Sequence, residues 1–142
     1  MEALEYYLVF ISLIACLCLT LSLIKPPEPI FSIRLLLTGI SSIAYKPTSE
    51  VTIRLYVPKS VIISIHDNVI EVKGYAINYA EIRDFIRLGI VKAYSQDKLE
   101  LYMSFKKPIE LTGSAVYELK LTCIGLDMID ISILNLTELR HF

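Results

Sequence analysis

Residues 1–24 read Met-Glu-Ala-Leu-Glu-Tyr-Tyr-Leu-Val-Phe-Ile-Ser-Leu-Ile-Ala-Cys-Leu-Cys-Leu-Thr-Leu-Ser-Leu-Ile, and Lys25-Pro26-Pro27-Glu28-Pro29 follows. Leu8 to Ile24 carries no charge, no Gly and no Pro, and extension back to Leu4 adds only Glu5. At a rise of about 1.5 Å per residue, Leu4–Ile24 spans roughly 31 Å as a helix, close to the hydrocarbon thickness of a bilayer. Ser12, Thr20 and Ser22 can return their hydroxyls to the helix's own carbonyls, and Tyr6 and Tyr7 sit where an interfacial aromatic is at home. A cleaved secretory signal has a basic start, a shorter apolar core and a small-residue cleavage site. Here the start is acidic and Leu21-Ser22-Leu23-Ile24-Lys25 is a poor site. The segment therefore reads as a retained, membrane-type helix over 1–24.

Glu5 is the unusual residue. With Glu2 it can sit at the water interface beside the positive end of the helix dipole. Deeper in an apolar setting, a carboxylate needs a proton or a cation. Ala3-Leu4-Glu5-Tyr6, running directly into an apolar helix, resembles the start of archaeal class III, type IV pilin-like sequences. The resemblance covers about the first 24 residues. It implies a surface filament in which the N-terminal helices bundle into the core and the following domains form the sheath. It also implies that Glu5 neutralises the terminal amine of a neighbouring copy, with Tyr6, Leu8, Phe10, Ile14 and Leu21 packing the bundle. Two features depart from the pattern. No basic stretch precedes Met1, and Pro26 stops the helix where many pilins continue theirs into the domain.

Beyond the helix, residues 25–29 cannot stay helical, because each proline lacks an N–H and disfavours helix in the residue before it. They read as a short, stiff spacer. From Ile30 to Phe142 the period is two, which describes a third unit, an all-β antiparallel sandwich. Phe31 to Leu37 reads as its first strand, with a Gly-containing break over Thr38–Ser42 and a turn at Lys46–Ser49. Val51–Val57 alternates cleanly. Ser60–Lys73 reads as a hairpin turning at Asp67-Asn68. Asn78–Gly89 breaks the alternation and reads as one short inserted helix, with Asn78 as cap, Glu81 completing a capping box and Gly89 as the stop. A strand through Ile86–Ala93 is the alternative. Val91–Tyr94, Leu99–Phe105, Ile109–Leu111, Tyr117–Cys123 and Ile129–Ile133 complete a set of seven to nine strands.

The chemistry-bearing residues are sparse. Net charge is −1, with Lys and Arg scattered, which gives no footprint for nucleic acid. Cys16 and Cys18 lie on nearly opposite sides of a helix, and Cys123 is in a strand, so neither a disulfide framework nor a Cys-x-Cys metal site is indicated. His66 and His141 lack companions at ligand spacing. Asp127 and Asp130 are a short acidic pair without the partners of a Ca²⁺ loop. No nucleophile elbow or phosphate loop is present, so no enzyme, cofactor or metal is expected. Asn135-Leu136-Thr137 is a glycosylation sequon, meaningful if the domain lies outside the cell.

The expectation is a structural subunit of a pilin-like surface filament. It would lie in the membrane before assembly and then associate with copies of itself through the N-terminal helix. The alternative is a single-pass anchor carrying an extracellular sandwich that binds a surface-layer protein, a carbohydrate or an assembly partner. Lys25 alone, by the positive-inside tendency, would place the sandwich inside. The resemblance places it outside, and outside is the reading adopted.

Overall fold

A computed structural model of the chain describes residues 2–23 and 30–139. It contains helix α1 (Glu2–Leu23) and, from residue 30, a β-sandwich with two short helices. The expected spacer at 25–29 lies outside the described residues.

The longest regular alternation in the chain sets the centre of the first sheet. Strand β8 (Ala115–Ile124) buries every second residue: Ala115, Tyr117, Leu119, Leu121 and Cys123. It pairs antiparallel on one side with β1 (Glu50–Val57), Glu50 opposite Thr122 and Val57 opposite Ala115. On its other side it pairs with β9 (Met128–Glu138), with a bulge between Glu118 and Leu119. Strand β6 (Ser104–Phe105) adds to β9 in parallel and completes a four-stranded sheet ordered β1-β8-β9-β6. The second sheet is ordered β4-β5-β3-β2-β7 and is antiparallel throughout, with β2 at Ile62–His66, β3 at Val69–Lys73, β4 at Val91–Tyr94, β5 at Lys98–Leu101 and β7 at Ile109–Thr112. Apolar faces of both sheets meet in one core that contains no buried polar or charged residue among those described.

The expected first strand at Phe31–Leu37 is instead part of helix α2 (Ile33–Ile43). Ile33, Leu36, Leu37, Ile40 and Ile43 are buried, at intervals of three and four, and this 3.6-residue stripe prevails over the alternation of 31, 33, 35 and 37. Gly39, which reads as a break, is a contact. A Cβ there would lie 2.9 Å from Leu121 Cδ1 and 3.1 Å from Ile53 Cγ2, so the absence of a side chain lets α2 lie close to β1 and β8.

Helix α3 (Tyr79–Arg87) stands where expected. Asn78 Oδ1 accepts from the Ala80 N–H (3.0 Å). The capping box is not formed, because Glu81 Oε1 instead accepts from the Tyr75 hydroxyl at 2.6 Å. At the other end, the Ile90 N–H donates to Phe85 O and the Gly89 N–H to Ile86 O, with Gly89 at φ +75°. This is the paired-bond C-cap in which a left-handed residue satisfies the last carbonyls.

The segment Leu99–Phe105, expected as one strand, is broken at Tyr102-Met103 and crosses between the sheets. The tip of the β2–β3 hairpin causes the break. The Leu101 N–H donates to Asn68 O (2.8 Å) and the Phe105 N–H to Asp67 O (2.5 Å), so the chain is gripped on both sides of the bend. Strand β9 also runs past its expected end at Ile133, to Glu138.

Gly39→Val is expected to destabilise the sandwich by about 1–3 kcal/mol, since the Leu121 and Ile53 side chains must repack to admit it. Thr38→Val, exposed on the same helix, should change it by less than about 0.5 kcal/mol. Urea unfolding followed by circular dichroism compares the two.

Candidate functional site: the apolar helix α1

Helix α1 is long and apolar enough to cross a membrane. None of its side chains is buried, and exposed leucines, isoleucines and aromatics lie around its whole circumference. Its first turn carries Glu2 and Glu5, and its last turn carries no basic residue. The Thr20 hydroxyl donates to Cys16 O (2.7 Å) and the Ser22 hydroxyl to Leu19 O (2.8 Å), so these two polar side chains are satisfied within the helix as the sequence suggests. In an apolar medium that local closure removes the cost of an unpaired hydroxyl.

With about 100° between successive residues, Phe10, Ile14 and Leu21 fall within a sector of roughly 40°, and Tyr6 lies beside it. Glu5 and Leu8 lie on the opposite side. The six residues singled out in the sequence thus occupy two faces of α1. Tyr6, Tyr7, Val9, Phe10 and Leu13 line a shallow, open groove at the N-terminal end. Cys16 and Cys18 are free and exposed, and helical spacing points them apart.

Among the described residues no other cluster competes with α1 as a site. Among the described residues no group of three or more His, Cys, Asp or Glu side chains could hold a metal ion. The His66 imidazole lies 3.8 Å from the Asp67 carboxylate on the surface, and His141 lies outside the described residues. Asp130 faces the Lys107 ammonium (3.9 Å), and so has a cation opposite it already. Asn135 is exposed on β9, in a strand and not in a loop.

The shifted titration in the domain is structural. Tyr75 stacks edge-on against Phe31 with ring centroids 4.8 Å apart, and its hydroxyl donates to Glu81. Burial, followed by the hydrogen bond to the Glu81 carboxylate and its charge, pushes the phenol up to about 12.

Comparison with protein-family models, with curated proteins and with solved structures gives no match for this chain.

Because Tyr75 ionises later in the folded chain than at its ordinary value near 10, its contribution is fully present below pH 10. It is lost as the pH rises from about 10 to about 12. Alkaline unfolding should therefore set in over that window and be less steep in Tyr75→Phe. A titration of tyrosine absorbance should show a late-ionising component from Tyr75, and this component should vanish in the variant.

Proposed function

We propose that the chain is a structural subunit of a pilin-like surface filament, with α1 in the filament core and the β-sandwich outside. The observation that carries this reading is the uniform exposure of α1. A surface helix of a globular domain hides one stripe, whereas this one has no hidden stripe. Covering a leucine-sized side chain gains about 1.5–3 kcal/mol, so roughly a dozen of them give a driving force on the order of 20 kcal/mol for leaving water. Lipid supplies that cover before assembly, and copies of the same helix supply it afterwards.

Glu5 supports self-assembly over permanent residence in lipid. A carboxylate one turn inside an apolar helix is costly in hydrocarbon, and a neighbouring copy's terminal amine answers it with an ion pair that fixes register. The Tyr6, Phe10, Ile14 and Leu21 face then packs against a neighbouring helix, with Leu8 on the Glu5 side. The sandwich lies on the outer surface of the cell, where Asn135 is open to glycosylation.

A second reading is favoured by one observation. The apolar run is followed in the sequence by Pro26, Pro27 and Pro29, which cannot continue a helix. Such a helix suits a single-pass anchor that holds the sandwich just off the membrane for a surface-layer, carbohydrate or assembly partner.

Glu5→Ala separates the two. Removing one member of a buried pair costs about 3–5 kcal/mol at each subunit contact. The variant should insert into membranes as well as the parent chain and yield no filaments in electron micrographs of sheared surface fractions. Wild-type chain recovered only as a membrane monomer would overturn the filament reading and leave the anchor.

A further inference from the structure

The second edge of β9 is open. Strand β9 pairs with β8 along its length, but β6 covers its other side only at Met128 and Ile129. From Ile131 to Glu138 no strand lies beside that edge among the described residues. Three hydrogen bonds define which backbone groups face it. The Lys106 N–H donates to Ile129 O (2.9 Å), so Ile129 faces away from β8. By alternation Ile131 and Ile133 do the same. The bulge then inserts Leu134 and shifts the alternation by one. Past it, the Leu139 N–H donates to Ser114 O at the end of β8 (2.9 Å), so Leu136 and Glu138 turn their backbone groups to the open edge. Consistently, the Leu136 N–H is held by the side-chain Oδ1 of Asn135, its own neighbour, at 2.9 Å.

The side chains match this edge. Ile133 stands opposite Leu119 and Leu136 opposite Tyr117, on the core-facing side of the sheet. Leu119 is fully buried and Tyr117 nearly so, but Ile133 and Leu136 are 46% and 45% exposed. Natural edges are blunted by lysine, proline or a covering element. Residues 131–138 contain no Lys, Arg or Pro.

We propose that this edge pairs with β9 of a second copy of the chain, antiparallel about a twofold axis between Leu134 and Asn135. Two four-stranded sheets thereby become one of eight strands. The register follows from the bulge. Outward backbone groups on both halves of the edge match when Ile133 lies opposite Leu136 of the second copy and Ile131 opposite its Glu138. The twofold repeats each contact, as an isologous interface requires. Ile133 and Leu136 from the two copies form a four-residue apolar cluster on one face, and Ser132 faces Thr137 on the other. Asp130 meets Leu139 and Glu138 meets Ile131, so no two acids are opposed. Pairing ends at Asp130, where β6 takes over the edge. The local bond from Asn135 to Leu136 is exchanged for a ladder bond to Ile133 of the second copy. The dimer does not depend on α1 or on the filament reading, because a twofold pair closes on itself.

The test uses the full chain in detergent micelles with Cys16 and Cys18 changed to Ala and the buried Cys123 retained. Ser132→Cys and Thr137→Cys chains of different tag length are expressed separately and together, then exposed to a mild oxidant. Opposed residues lie within disulfide reach, whereas residue 132 of one copy is roughly 17 Å along the strand from residue 132 of the other. Co-expression should give the covalent heterodimer, and either chain alone should give none. Leu136→Lys in both chains should abolish the heterodimer with the circular dichroism spectrum unchanged. Absence of the heterodimer in the mixture, or equal cross-linking by either chain alone, would overturn the proposal and leave the edge to a different strand or to the chain's own ends.

Discussion

The sandwich depends on the double pairing of β8. This ten-residue strand buries every second residue from Ala115 to Cys123, and it is hydrogen-bonded on both sides, to β1 and to β9. Its buried residues form the floor on which α2 rests, and the hydroxyl of Tyr117 both accepts from the Thr112 N–H (3.1 Å) and donates to Thr112 O (2.8 Å), tying the β7–β8 turn to its own strand. An error of one residue in its register would turn Leu119, Leu121 and Cys123 to the outside and Glu118, Lys120 and Thr122 to the core. No other element could compensate, since β1, β9 and α2 all take their positions from it.

Much of this was legible in the residues. Strict alternation in Val51–Val57 and Tyr117–Cys123 requires a half-buried strand, and Asn78 and Gly89 bracket a helix by chemistry that acts locally. The misreadings came where two periods coincide or where a distant group decides. Phe31–Leu37 satisfies both a two-residue and a 3.6-residue period because Leu35, Leu36 and Leu37 are consecutive. Only the continuation through Ile40 and Ile43 separates them, and Gly39 conceals that continuation. The bend at Tyr102-Met103 is imposed by Asp67 and Asn68, more than thirty positions away, and nothing in its own alternation announces it. Glu81 was drawn from its expected cap by Tyr75, a partner that local spacing does not reveal.

The candidate site was legible in a different sense. The apolar run from Leu8 to Ile24 states its physical requirement, cover on every side, without any tertiary structure. What provides the cover is a property of the surroundings and not of the chain's own fold, so the residues of α1 define a need and not its answer. The edge of β9 was invisible in sequence for the opposite reason. Ile133, Leu134 and Leu136 look like ordinary strand residues until the ladder shows that β6 stops beside Ile129.

The order in which the chain enters the sandwich has a mechanical consequence. In chain order the first element of the sandwich, from Ile30 onward, is helix α2 and not a strand. Tension applied to the chain at Ile30 would act first on Phe31 and Ile33, which are buried at the start of α2. The β1–β8 ladder, eight residue pairs long, lies further along the chain. If the domain is tethered through its N-terminus, α2 would be loaded before that ladder, a compliant first stage in front of a stiff second one.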